Sequence, residues 1–168
     1  MSRPYIGTDK NFFDKKTRED IARVVEAHMV KINKEDVEIL NVGSPYLWEL
    51  YDLKVSTKNK VNVVAVDLEA DQEDYNTSGV DFKSTKSIKD NFFNYEPDRK
   101  FDIIVNRWFL HHLTAEQTKS FFYYCKEDLL APNGIIISVD YFFKKFNKFI
   151  FILFIFIYEI NFFKIASI

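Results

Sequence analysis

Cysteine, glycine and proline are all scarce in this chain of 168 residues, which holds one, four and four of them respectively. The lone Cys125 cannot form an internal disulfide, and no Cys/His cluster has the spacing of a zinc site, so no metal is expected. A reducing, cytoplasmic setting follows as the expectation. So little glycine and proline leaves no flexible or Pro-rich linker, and no internal repeat marks an array. An excess of one charge is lacking too: a net charge of −2 gives no global electrostatic reason to bind nucleic acid. The opening MSRPYIGTDK has no apolar core of the kind a secretory signal needs.

The length suits one domain with a real core. Residues 1–140 have an ordinary mixture of side chains, whereas 141–168 are mostly Phe, Ile, Lys and Asn. The expected organisation is a domain over 1–140, comprising an N-terminal helical region (1–36) and a core (37–140), then an atypical tail over 141–168.

Thr17 with Asp20 reads as a helix cap, and Ile21, Val25, His28 and Ile32 recur at helical spacing. VEIL (37–40) is a short buried strand leading into Asn41-Val42-Gly43. Ser44-Pro45 joins a favoured N-cap to a residue suited to the first helical position. A helix is therefore expected from there through Leu47, Trp48, Leu50 and Tyr51. VNVVAVD (61–67), FKSTKSIKD (82–90), FDIIVN (101–106) and IIISVD (135–140) read as strands, and the acidic stretch 69–79 as a loop or short helix. Thr114 and Gln117 form a capping box opening a helix through Phe121, Phe122, Cys125 and Leu129. Ala131-Pro132-Asn133-Gly134 then breaks it as a turn. Strands apolar on both faces, alternating with helices, predict a parallel sheet covered on both sides.

Four segments in this order, VEILNVGS, VVAVD, FDIIVNRWFLHHL and LLAPNGIIISVDYF, resemble motifs of the class I S-adenosylmethionine-dependent methyltransferases over residues 37–143. The resemblance implies an α/β fold: a Rossmann-like, doubly wound, mostly parallel sheet with helices on both faces. It also implies S-adenosyl-L-methionine as cofactor and methyl transfer by in-line displacement to an unidentified acceptor, a small molecule being favoured. Such sheets bind ligands at the carboxyl ends of the strands, near the point where strand order reverses.

On that reading Gly43 lets the backbone approach the cofactor, and the N–H groups after Ser44 face its carboxylate at a helix N-terminus. Asp67, followed by Leu68, accepts hydrogen bonds from the ribose hydroxyls; the plainer reading is a solvated strand-end acid. Asp90 stands where the family places an acid facing the adenine amino group, with Asn91 and Phe92 beside it. Asn106 and Arg107 follow strand 4, where methyl group and acceptor would meet. Of the next two histidines, His111 is the candidate base, paired with Asn106 as the candidate catalytic residues, although positioning alone can supply much of the rate. For at least one of His111 and His112 a packing role is the plainer reading. His28, on the apolar face of the first helix, reads as a buried structural histidine. Glu69, Asp71, Glu73 and Asp74 read as a solvated face. Tyr5, Phe12 and Phe13 would line a substrate lid or pack into the core.

The family's first loop runs acid-x-Gly-x-Gly-x-Gly, and Asn41, Gly43, Pro45 and Leu47 occupy those places here. The loop is thus weakened: Asn41 lacks the charge, and Leu47 adds bulk. Two other function classes compete. One is a noncatalytic methyltransferase-like scaffold or regulatory partner. The other is a nicotinamide-dependent oxidoreductase, for which the full G-x-G-x-x-G is missing. The tail is expected to be truncated sequence, leaving the sheet without its usual last strands; a native strand or helix, or a membrane anchor, are the alternatives. Its apolar run from Phe149 to Tyr158 falls short of the ~20 residues a bilayer span needs.

Overall fold

The computed structural model describes residues 12–44, 47–69, 80–143, 149–157 and 166–167. Its strands, in chain order, are β1 (Asp36–Val42), β2 (Lys60–Asp67), β3 (Ser84–Lys89), β4 (Phe101–Arg107), β5 (Leu130–Phe143), β6 (Phe149–Ile157) and β7 (Ala166–Ser167). They form one sheet in the order β3-β2-β1-β4-β5-β6-β7, parallel from β3 to β5. This is the expected Rossmann-like parallel sheet. Two helices, α1 (Phe12–Ile32) and α2 (Ala115–Tyr124), pack on it.

Alternation along the strands sends side chains into two separate cores. Ile39, Val63, Ile103 and Ile137 pack with Ile21, Val25 and Met29 of α1. Their neighbours Leu40, Val64, Ile104 and Ile136 pack on the opposite face with Phe121 of α2, Cys125 and Leu129. All seven residues of β4 are buried. That is why the strand sequences read as continuous apolar runs.

α2 begins as its residues dictate. Thr114 Oγ1 accepts from Gln117 N (3.2 Å), and Gln117 Oε1 accepts from Thr114 N (2.8 Å). The helix passes into a π-helical turn, Cys125–Leu129, before β5. Burial pushes the Cys125 thiol well above its ordinary pKa. α1 starts at Phe12 rather than at Thr17, so Thr17 lies inside the helix and does not cap it. The Ala131–Gly134 turn is absorbed into β5 as a bulge. Leu130 pairs with Phe101 and Ile135 with Ile103, and Asn133 between them is left-handed (φ 64°).

Two expectations are corrected. Among the described residues, the chain after Ser44 makes a 3₁₀ turn, Trp48–Leu50, in place of the expected α-helix. Leu47 is left-handed (φ 52°), which an α-helix does not admit, and it packs with Leu50 and Leu53 into the core beneath α1. Arg18 of α1 holds this segment through Asp52 (2.9 Å). The sheet also does not stop at β5. β6 pairs antiparallel along it from Ile135↔Ile157 to Phe143↔Phe149, and β7 pairs with β6. An apolar, β-branched and aromatic run satisfies β5's free edge, which the sequence pattern after residue 140 left uncovered. Among the described residues no helix is long and apolar enough to cross a membrane. Tyr5, Pro45, Asp71, Glu73 and Asp74 lie outside the described residues.

His28 is buried on α1 as the periodicity required. Burial first, then the nearby Lys31, hold its pKa below the usual 6.5, against an opposing pull from Asp102. The unfolded chain therefore takes up this proton more readily. Stability should be full above pH 6.5 and decline as pH falls below it toward the folded pKa, and His28→Leu should flatten that decline. Denaturant titrations of both proteins at several pH values check this. Leu47→Ala is expected to cost about 2–5 kcal/mol. Leu47→Gly should cost less, because glycine escapes the ~1–2 kcal/mol left-handed penalty. If glycine proves the worse of the two in urea unfolding, the backbone at Leu47 is not strained.

Candidate functional site

β1 and β4 lie side by side at the centre of the sheet, and the chain leaves them toward opposite edges, to β2 and to β5. A crevice opens at their carboxyl ends for this topological reason. It is a cleft of about 670 Å³, reached by the ends of β1, β2 and β4 and by the turns after β3 and β4.

Gly43 turns the chain out of β1. Its φ is 76°, its N–H donates to Val66 O (3.0 Å), and a Cβ placed there would meet the Phe109 ring at 2.6 Å. Glycine is thus required by backbone conformation and by packing, and Gly43 and Ser44 line the cleft. At the end of β2, half-buried Asp67 lines the cleft, with Leu68 next to it. Asp67 Oδ1 accepts from Glu69 N (2.7 Å). Its backbone carbonyl accepts from Asp90 N (3.2 Å), which draws the turn after β3 against β2. There Asp90 Oδ1 accepts from Asn91 N (2.6 Å), and Asn91 Oδ1 caps a 3₁₀ turn by accepting from Phe93 N (3.0 Å). Phe92 and Phe93 add an aromatic wall, continued by Phe109 edge-on to Phe92 with ring centroids 6.0 Å apart.

The chain leaving β4 forms the other wall. Trp108 is left-handed (φ 55°), a conformation that costs a bulky residue of order 1–3 kcal/mol and clusters at functional sites. Its indole lies 4.0 Å from the Arg107 guanidinium carbon. His111 follows in a 3₁₀ turn, with its ring tilted against that of His112 at 4.0 Å. Asp140, at the far end of β5 and 1% exposed, grips His111 twice. Its Oδ2 accepts the backbone N–H (3.1 Å), and its Oδ1 lies 2.9 Å from Nδ1.

The structure therefore gathers Gly43, Ser44, Asp67, Leu68, Asp90, Asn91 and His111 around one cleft. Asn41 and Asn106 do not line it. Both are fully buried on adjacent strands below it. Asn41 Nδ2 donates to Ser44 O (2.9 Å), and Asn106 Oδ1 accepts from Ser138 Oγ (2.7 Å). Among the described residues after Ser44 the first helical element is the 3₁₀ turn Trp48–Leu50.

Two site residues carry no local signal in the sequence, Asp140 and Glu49. Glu49 pairs across the floor of the cleft with Arg107, expected near the acceptor; both are about 2% exposed, with Nε 3.5 Å from Oε1. Glu49 Oε2 also accepts from Asn41 Nδ2 (3.4 Å), so a carboxylate does stand next to the position where Asn41 lacks one.

No protein family's sequence profile matches the chain, and no curated protein matches it. Solved structures do. A plantazolicin methyltransferase, determined with a monoazolic desmethyl-plantazolicin analogue and S-adenosylhomocysteine, superposes with a TM-score of 0.56 at 16% identity. That match covers 74% of this chain and 47% of the other, so the chain spans about half the length of that enzyme. An S-adenosylmethionine-dependent methyltransferase from Clostridium acetobutylicum gives 0.50 at 17% identity, covering 90% of this chain and 71% of the other. The fold is that of class I methyltransferases.

Glu49 and Arg107 are both almost wholly buried, so removing the carboxylate takes an ion-pair partner from a guanidinium kept from water. Glu49→Ala is expected to cost about 3–5 kcal/mol, and replacing Glu49 and Arg107 together by Leu and Met should cost less than that single change. Equilibrium unfolding of the single and double variants checks this; additive losses would mean the two side chains are not coupled.

Proposed function

We propose that this chain binds S-adenosylmethionine in the cleft and transfers its methyl group to an acceptor. The observation that carries the reading is Asp67, a half-buried acid at the carboxyl end of β2, facing the cleft beside the Gly43 turn at the switch point of a methyltransferase-like sheet. Both structural relatives named above are methyltransferases, and the plantazolicin enzyme holds the demethylated product. The volume lies within the ~300–1,000 Å³ of small-molecule sites.

The residues present fit the ligand. Asp67 accepts from the ribose hydroxyls, Phe92 and Phe93 offer apolar surface to the base beside Asp90 and Asn91, and Gly43 leaves backbone open to the amino-acid end. Below it, Asn41 Oδ1 and Asn106 Nδ2 are buried without a hydrogen-bond partner, one acceptor and one donor. When bound, the cofactor supplies an electrophilic methyl group on a sulfonium. The chain's own residues bind it, exclude water with the Phe92–Phe109 wall, and fix the direction from which an acceptor approaches.

A second reading, a noncatalytic methyltransferase-like scaffold, is favoured by one observation: Leu47 has become core where the family places a glycine at the start of a helix. Calorimetry separates the two. Titration of the folded chain with S-adenosylmethionine, S-adenosylhomocysteine and NAD should give binding to the first two alone. Asp67→Ala should weaken it by roughly 10- to 150-fold, the worth of a charge-assisted hydrogen bond. A folded chain that binds neither at millimolar ligand is a scaffold.

A further inference from the structure

Trp108 stands in a backbone conformation that disfavours it (φ 55°), yet it belongs to neither core. Its neighbours Phe109 and Leu113 pack against the second core, whereas Trp108 is partly exposed and lines the cleft. The chain on either side holds it there. Trp108 N donates to Val139 O (2.8 Å), Asp140 accepts the His111 N–H (3.1 Å), and Glu49 faces the Arg107 guanidinium across 3.5 Å. The carbon of that guanidinium lies 4.0 Å from the indole centroid, so a planar cation backs one face of the ring. Strain of this kind persists only where surrounding contacts over-determine it, and here they fix the plane of an indole in the cleft wall.

We infer that Trp108 is a specificity-determining platform on which a planar aromatic or heteroaromatic small-molecule acceptor stacks. The inference rests on the methyltransferase reading of the same cleft. On that reading the nucleoside lies over the ends of β2 and β3, with Asp67, Phe92 and Phe93. β2 and β4 flank β1, so Trp108 is two strands from Asp67, about 10 Å across the sheet. The indole therefore serves the other half of the cleft, where the acceptor enters. An aromatic guest lies flat on an indole and meets it at van der Waals distance over its whole area. A saturated ring is puckered and touches the same face with a few hydrogens only. Stacked or edge-on aromatic pairs gain about 2- to 13-fold in affinity beyond what area burial supplies.

The test needs no turnover. The full chain, saturated with S-adenosylhomocysteine, is titrated with 2-naphthol and with its saturated analogue decahydro-2-naphthol, by calorimetry and by NMR of the indole N–H signals. The aromatic guest should bind about 2- to 13-fold the tighter. Its ring current should shift the Trp108 indole resonance, and the saturated guest should shift it far less. Trp108→Phe should keep part of the preference and Trp108→Leu should abolish it, both with S-adenosylhomocysteine affinity unchanged. Equal affinity for the two guests overturns the inference. So does binding of neither guest at millimolar concentration, an indole signal that the aromatic guest leaves in place, or a preference that survives Trp108→Leu. The ring-current shift is read in the unaltered protein, so it decides the question even where Trp108→Leu does not fold. A chain that binds no S-adenosylhomocysteine refutes the methyltransferase reading instead, and the acceptor assignment falls with it.

Discussion

Burial of the central strands on both faces is the constraint from which the rest follows. The central stretches of β1, β2, β4 and β5 are buried on both faces, so residues there are mostly apolar and the polar ones need partners inside the sheet. Polar chemistry is thereby pushed to the strand ends. At the carboxyl end it collects where β1 and β4 part, and the cleft, the strand-end acid and the histidine all sit there. At the amino end the same constraint appears as Asp102, buried but bonded to Lys34 Nζ (2.5 Å) and to Glu38 N (3.1 Å).

Two buried acids then hold the segment after β4 from either side. Glu49, carried by the turn after β1, meets Arg107; Asp140, on β5, meets His111. The end of β4 and the 3₁₀ turn that follows it are thereby tied to the strands on both flanks. Each acid is tolerated because a charge-assisted partner replaces the lost hydration, and a chain with only one member of either pair would fold less well.

Much of this was legible in the sequence, for identifiable reasons. Strands such as VNVVAVD and FDIIVN announce themselves because two-sided burial leaves no polar alternation to blur them. The start of α2 was readable because Thr114 and Gln117 satisfy each other over three residues of local chain. Asp67 was readable as an acid closing a buried run. What failed was non-local. Ser44-Pro45 favours a helix on local grounds, but Leu47, Leu50 and Leu53 gain more by entering the core under α1, and the backbone yields. Asn41 and Asn106 occupy the right strands, yet the pleat leaves them below the cleft. Glu49, Arg107 and Asp140 become partners only through the order of strands, which no local window contains. β6 was hidden because its fitness for the edge of β5 depends on register rather than on composition.

The short pairing of β1 with β4 has a consequence for how such a chain can change over generations. Only Ile39–Val42 and Ile103–Asn106 are joined, and the two cores alternate residue by residue along that stretch. Deleting one residue between Phe101 and Arg107 would exchange every inward face from there onward. Ile103 and Ile104 would trade cores, and Arg107 would no longer be level with Glu49. The segment from Phe101 to His112 can therefore drift by substitution but not by insertion or loss. Lineages that lengthen or shorten it would lose the sheet before they lost the cleft.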